Sequence, residues 1–183
     1  MFARTPRLLL RPGWTEDAGA LHQAINDEAI IRNLARAPWP YTLADAQEFL
    51  ALPHHPKIPR WLIYRRTAAA PALVGTCGFS DLPDGQVEFG YWIARDHWGL
   101  GYATEAGRAA LESARSLGHR KFFACHFVDN PASGNVLLKL GFRTTGRTEP
   151  RFSKGRQSKV DAVEFELSLD SDMDSEVARP LAA

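Results

Sequence analysis

The strand-like run Val87-Glu-Phe-Gly-Tyr-Trp-Ile93 leads into Trp98-Gly99-Leu100-Gly101-Tyr102-Ala103. From there Ala103, Ala106, Ala110, Ala114 and Leu117 recur on one helical face until Gly118. Two glycines at the opening of a helix let backbone N–H groups approach an anion without side-chain obstruction, and the helix dipole adds a favourable field there. The chemistry implied is phosphate binding, although a bare strand-to-helix turn would look the same in isolation. A Walker loop is excluded because neither Gly-Lys-Ser nor Gly-Lys-Thr occurs. A dinucleotide fingerprint fits poorly, since Thr104 stands where its third glycine belongs. The residues after Asp129 also predict one helix and a hairpin instead of repeated parallel βα units.

Other reactive groups are fewer. Glu88 falls on the same central strand, where a carboxylate could take a proton from an attacking amine directly or through water; a solvent-facing strand position is the plain alternative. Cys125 and His126 are adjacent on a strand-like run, so they point to opposite faces and do not make a nucleophile–base dyad. His54 and His55 lie between prolines and read as loop groups, and no metal is expected. Arg143, Arg147, Arg151, Lys154, Arg156 and Lys159 form a basic run that reads as a solvated hairpin, with an acidic protein, RNA or coenzyme phosphate as alternative partners.

The elements that must position these groups follow from the pattern. Arg7 to Arg11, Trp61 to Arg65, Ala72 to Phe79, Val87 to Ile93 and Lys121 to Phe127 read as strands, and Arg143 to Arg151 with Lys159 to Leu169 as a closing hairpin. Pro83-Asp84-Gly85 makes two of the strands antiparallel neighbours. Thr15 is the expected N-cap of a helix reaching about Ile25, and Thr42 to Asp45 resembles a capping box for a helix ending before Pro53. Asn130 with Pro131 opens another that stops at Gly141. A chain of 183 residues, 45% hydrophobic and 23% charged, suits one domain, taken as 1–169. The last stretch, 170–183, reads as a flexible acidic tail. A formal charge of +1 gives no bulk reason for a nucleic-acid or membrane partner. The longest early apolar run is Leu8 to Leu10, and Cys77 and Cys125 read as reduced core thiols, so a cytoplasmic protein is expected.

Taken together, Thr5-Pro-Arg-Leu-Leu-Leu-Arg-Pro12, the Pro38 to Tyr41 loop with Thr42 to Leu50, Phe89-Gly-Tyr-Trp-Ile93, Trp98-Gly-Leu-Gly-Tyr-Ala-Thr-Glu-Ala106, and Asn130-Pro-Ala-Ser133 through Lys139-Leu-Gly-Phe142 resemble the GNAT superfamily of N-acetyltransferases, and specifically its RimJ/RimL-like branch. The resemblance implies an α/β (α+β) GNAT fold: a mixed, mostly antiparallel sheet of about seven strands, flanked by helices and splayed between the fourth and fifth. It implies acetyl-CoA as cosubstrate, its pyrophosphate held by N–H groups from Gly99 through Leu100, Gly101, Tyr102 and Ala103 to Thr104. Trp98 stands in place of the usual Gln or Arg. Pantetheine would lie along Trp92, Ile93 and Ala94, with Asn130 binding it or shaping the helix start, and a backbone N–H near Ile93 would polarise the thioester.

The tyrosine that many members use as acid is replaced by Leu137, and Ser133 matches the substitute of this branch. Glu88 would be the base, and Trp39, Tyr41 and Phe79 would line the acceptor side. The acceptor implied is a protein N-terminal amine reached by direct attack in a ternary complex, with a homodimer allowed for. A small-molecule amine acetyltransferase and a noncatalytic acyl-CoA sensor are the alternatives.

Overall fold

Alternation along Trp61-Leu-Ile-Tyr64 sorts side chains between two cores, Trp61 and Ile63 entering one and Leu62 and Tyr64 the other. The sheet between those cores has eight strands in the computed structural model, which describes residues 1–67, 70–83 and 85–169. They are β1 (Ala3–Arg4), β2 (Leu8–Arg11), β3 (Arg60–Arg65), β4 (Ala72–Asp81), β5 (Val87–Ile93), β6 (Lys121–Phe127), β7 (Arg143–Ser153) and β8 (Ser158–Ser168), in spatial order β1-β2-β3-β4-β5-β6-β8-β7. Among the described residues only β5 and β6 run parallel, and every other neighbouring pair is antiparallel. The short β1, which the sequence pattern did not reveal, takes the strand count past seven. The expected tail falls outside the described residues, as does Asp84 of the expected turn.

The long helix α4 (Tyr102–Ser116) makes the crossover from β5 to β6 and buries Ala106, Ala110 and Ala114 against the sheet, with α5 (Pro131–Lys139) beside it. On the other face lie α1 (Ala18–Ile25), the four-residue α2 (Glu28–Ile31) and α3 (Leu43–Ala51). Thr42 and Asp45 form the expected capping box. Thr15 does not cap α1: Thr15 to Asp17 form a 3₁₀ turn, and Asp17 is drawn inward instead. No helix among the described residues is long and apolar enough to cross a membrane.

Asp17 is 8% exposed and accepts from Arg11 Nη1 and Nη2 at 2.7 Å each, from Tyr64 Oη at 2.7 Å and from the Trp14 N–H at 2.8 Å. Burial works to raise its carboxyl, but Arg11, Trp14 and Tyr64 outweigh that and hold it below the ordinary value. Asp17→Asn should cost about 3 to 5 kcal/mol in urea unfolding, because it leaves the Arg11 guanidinium buried without its charge partner. A lowered carboxyl contributes stability that is present above the unfolded value of 3.8 and lost as pH falls below it. The parent should therefore lose more stability on acidification below pH 4 than the variant does.

Candidate active site

The parallel pair β5 and β6 is in register at Glu88↔Phe123, and beyond that point the strands diverge. The gap opens into a cleft of about 950 Å³ that runs from the starts of α4 and α5 past Glu88 to the loop around Arg36 and Pro38. Backbone direction along β5 can be followed residue by residue. The Ala94 N–H donates to Val74 O at 2.8 Å, and the Trp92 carbonyl faces Gly75 so closely that a Cβ there would stand 2.1 Å from its oxygen. Trp92 C=O and Ile93 N–H belong to one peptide plane and point opposite ways, so the Ile93 N–H is directed away from β4 and into the cleft. The Ile93 carbonyl is taken by Trp98 Nε1 at 2.6 Å. Trp98, itself 41% exposed under the Arg95 guanidinium at 4.3 Å, thus braces the strand end.

Gly99 and Gly101 adopt φ of 75° and 79°, left-handed values that favour glycine. Gly101 is the N-cap of α4, no side chain caps it, and the first intrahelical bond runs from Glu105 N to Gly101 O at 3.1 Å. The N–H groups of Tyr102, Ala103 and Thr104 are left facing outward, which suits a pyrophosphate. Sequence reading missed Arg7 here. Its Nε donates to Glu105 Oε2 at 2.6 Å and its Nη1 to Leu100 O at 3.0 Å, and its guanidinium lies 4.8 Å from the Tyr102 ring centroid. A guanidinium from the N-terminal segment thereby sits beside the loop whose own first position carries Trp98. Its place in the Thr5-Pro-Arg stretch was the signal available.

At the other end of the cleft Glu88 is 9% exposed. Arg151 grips both its oxygens, Nη1 on Oε1 and Nη2 on Oε2, the latter at 2.9 Å. Cys125 Sγ approaches Oε1 at 3.7 Å, and Arg36 Nη2 reaches Oε2 at 3.4 Å. A carboxylate has about four lone-pair sites, so these contacts fill its capacity, and Arg36, whose side chain is 64% exposed, is the partner most readily displaced. The hydrogen bonds to Glu88 hold the Arg151 guanidinium above its ordinary value. The reading of the basic run as a solvated hairpin is therefore corrected at two positions: Arg151 turns inward, and Arg156 clasps Asp129 at 2.8 and 2.9 Å.

Burial pushes the Cys125 thiol up to about 11, against the opposing pull of Arg151. His126 lies on the other face against Phe165, ring centroids 5.4 Å apart, so the two residues are separated as their adjacency predicts.

Ser133, in the first turn of α5, meets the Tyr91 hydroxyl at 2.8 Å. Asn130 lines the cleft and stands at the N-cap of α5 as expected, its carbonyl accepting from the Ser133 N–H at 3.1 Å while its side chain makes no capping bond. Leu137 is 1% exposed in the core. Tyr41 lines the cleft beside Pro38, with its hydroxyl pushed up to about 12 by burial and by Asp45 and Glu48. Trp39 is 39% exposed. Phe79 contributes to the cleft lining but lies on the opposite face from Glu88, its ring packed against those of Trp61, Phe89 and Phe122.

Comparison with known proteins agrees with this architecture. The model of the acetyltransferase (GNAT) domain matches residues 7–143. The chain belongs to the GNAT acetyltransferase family, and its activity is acetyl-CoA-dependent N-acetyl transfer. It is 32% identical over 150 residues to the uncharacterized N-acetyltransferase YoaA of Bacillus subtilis, covering 78% of this chain and 82% of that one. Among solved structures, RimL, a ribosomal L7/L12 α-N-protein acetyltransferase in complex with coenzyme A, superposes with a TM-score of 0.77 at 21% identity over 94% of this chain and all of that one. Spermidine N-acetyltransferase from Vibrio cholerae, in complex with CoA and spermine, superposes with a TM-score of 0.74 at 21% identity, covering 91% and 98%.

Proposed function

We propose that this chain transfers the acetyl group to a protein N-terminal amine by direct attack in a ternary complex, as a RimJ/RimL-like enzyme. The observation carrying the reading is the two-ended cleft: an outward-facing Ile93 N–H and an uncapped α4 at one end, a buried carboxylate at the other. The Ile93 N–H would receive the developing negative charge on the thioester oxygen, while Gly99 to Thr104 hold the pyrophosphate and the β5 edge near Trp92 to Ala94 orients the extended arm, with Asn130 at its side. Glu88 would take the amine proton once Arg36 has yielded its site to the acceptor. Ser133 would donate a hydrogen bond to the sulfur as it leaves. Tyr41 and Trp39 would flank the incoming chain terminus.

The Glu88 charge is already matched by Arg151 and Arg36, so the cleft floor offers a polyamine no unpaired carboxylate at that position. The test is free-thiol release from acetyl-CoA across N-terminal peptides, amino acids, aminoglycosides and polyamines. Turnover confined to peptides supports the proposal; turnover confined to a small amine transfers it to that class; tight CoA binding with no turnover on any amine leaves only a sensing module.

Direct attack makes a second expectation. With its thiol held protonated by burial, Cys125 is a poor acyl carrier. Cys125→Ala should keep turnover within about threefold of the parent, and initial-rate plots should intersect instead of running parallel. Isolation of an acetyl-Cys125 that passes its group to the amine at the rate of turnover would overturn the ternary mechanism.

A further inference from the structure

The side chain of Tyr91 crosses from the diverging strand β5 to the first turn of α5. Its ring packs beside Phe89, centroids 5.7 Å apart, and its hydroxyl lies 2.8 Å from Ser133 Oγ and 3.2 Å from the Ser133 carbonyl oxygen. A phenol has one proton to give, so two acceptors on one residue define two arrangements. Donating to the carbonyl, Tyr91 can accept the Ser133 proton and turn it away from the cleft. Donating to Oγ, it leaves the Ser133 O–H free to point at a group lying in the cleft.

We propose that Tyr91 is a positioning residue for thiolate departure: it fixes the Ser133 hydroxyl and switches that hydroxyl toward the sulfur as negative charge develops there. The inference rests on the reading of Ser133 as donor to the sulfur. No proton changes owner in the switch. The C–N bond forms as the amine proton passes to Glu88, the C–S bond breaks with its electron pair going to sulfur, and the thiolate receives a hydrogen bond from Ser133 Oγ, which in turn receives one from the phenol. Charge-assisted hydrogen bonds of this kind are the strong ones, and a chain of two polarises further. Burial raises the phenol to about 12, with Ser133 pulling the other way, so Tyr91 keeps its proton throughout the neutral range. Leu137, apolar and in the core, cannot supply this donor.

The experiment is a double-mutant cycle of Tyr91→Phe and Ser133→Ala, reading kcat, the KM for acetyl-CoA and melting temperature. Ser133→Ala should lower kcat roughly tenfold to a hundredfold, the size expected of one hydrogen bond to a charged atom, and Tyr91→Phe roughly threefold to tenfold, that of a neutral one, each with the KM within about twofold. Because both act through one hydroxyl, the double variant should be no slower than the slower single. A wild-type rate for Ser133→Ala would end the reading of Ser133 and this inference with it. A slow Ser133→Ala beside a wild-type Tyr91→Phe would end the inference alone, and so would losses that multiply.

Should Tyr91→Phe melt too early to assay, a tyrosine fluorinated beside its hydroxyl at position 91 supplies the second test. It keeps the hydrogen bond but makes the phenol a stronger donor to Ser133 Oγ, so kcat at neutral pH should rise above the parent's with the KM for acetyl-CoA unchanged. An unchanged kcat would overturn the assignment, because a purely structural tyrosine does not couple its acidity to the rate.

Discussion

Gly101→Asp should lower CoA affinity at least about a hundredfold while leaving the protein folded. Gly101 has φ of 79°, and a Cβ there would meet only Arg7 Nη2, at 3.5 Å. An aspartate tolerates the left-handed region better than most residues, at about 1 to 2 kcal/mol, and its carboxylate would lie between the Arg7 guanidinium and the open N–H groups of α4. The variant would thus carry its own anion where the pyrophosphate should sit. Two hydrogen bonds to a charged group are worth roughly 3 to 6 kcal/mol, or about two to four decades in Kd. Calorimetry with CoA measures the loss. Gly101→Ala, with the same backbone cost and no charge, should lose far less. An unchanged affinity in folded Gly101→Asp would remove this loop from coenzyme binding.

That loop was legible in the sequence because everything that defines it is local. Two glycines, a preceding β-rich run and an alanine face spaced for a helix all fall between Val87 and Leu117. For the same reason the strands Val87–Ile93 and Lys121–Phe127 and the start of α5 at Pro131 appear at the expected residues. What escaped depends on chain segments far apart. Arg151 is 63 residues from Glu88 and carries no periodic mark that separates it from the basic residues around it. The turn after β7 is likewise tied down at a distance, with Ser153 Oγ donating to Leu34 O at 3.0 Å and Lys154 N to Ala35 O at 2.9 Å. These contacts bring the hairpin against the loop that carries Arg36, and so decide what surrounds Glu88. The elements β1, with two residues, and α2, with four, are too short to show a period.

Glu88→Gln should cut turnover about a hundredfold at pH 7 with acetyl-CoA affinity nearly intact, which is the lower end of what a positioned general base contributes. The pH dependence carries the argument. An α-amine has an ordinary pKa of about 7.7 to 8.0, so above that range the acceptor arrives already neutral and needs no base. The loss should therefore shrink as pH rises toward 9. Two effects must be kept apart, because the glutamine also leaves Arg151, whose side chain is 30% exposed, without its charge partner. Partial exposure moderates that cost, since water can solvate the guanidinium. Arg151→Lys serves as the control: it loses the bidentate ion pair but keeps both a cation beside Glu88 and the carboxylate, so it should lower the melting temperature while showing no recovery with pH. Recovery in Glu88→Gln alone assigns the proton to Glu88. A loss of equal size at every pH in both variants would instead make the Glu88–Arg151 pair a structural brace for the acceptor end of the cleft, with the amine entering transfer already deprotonated.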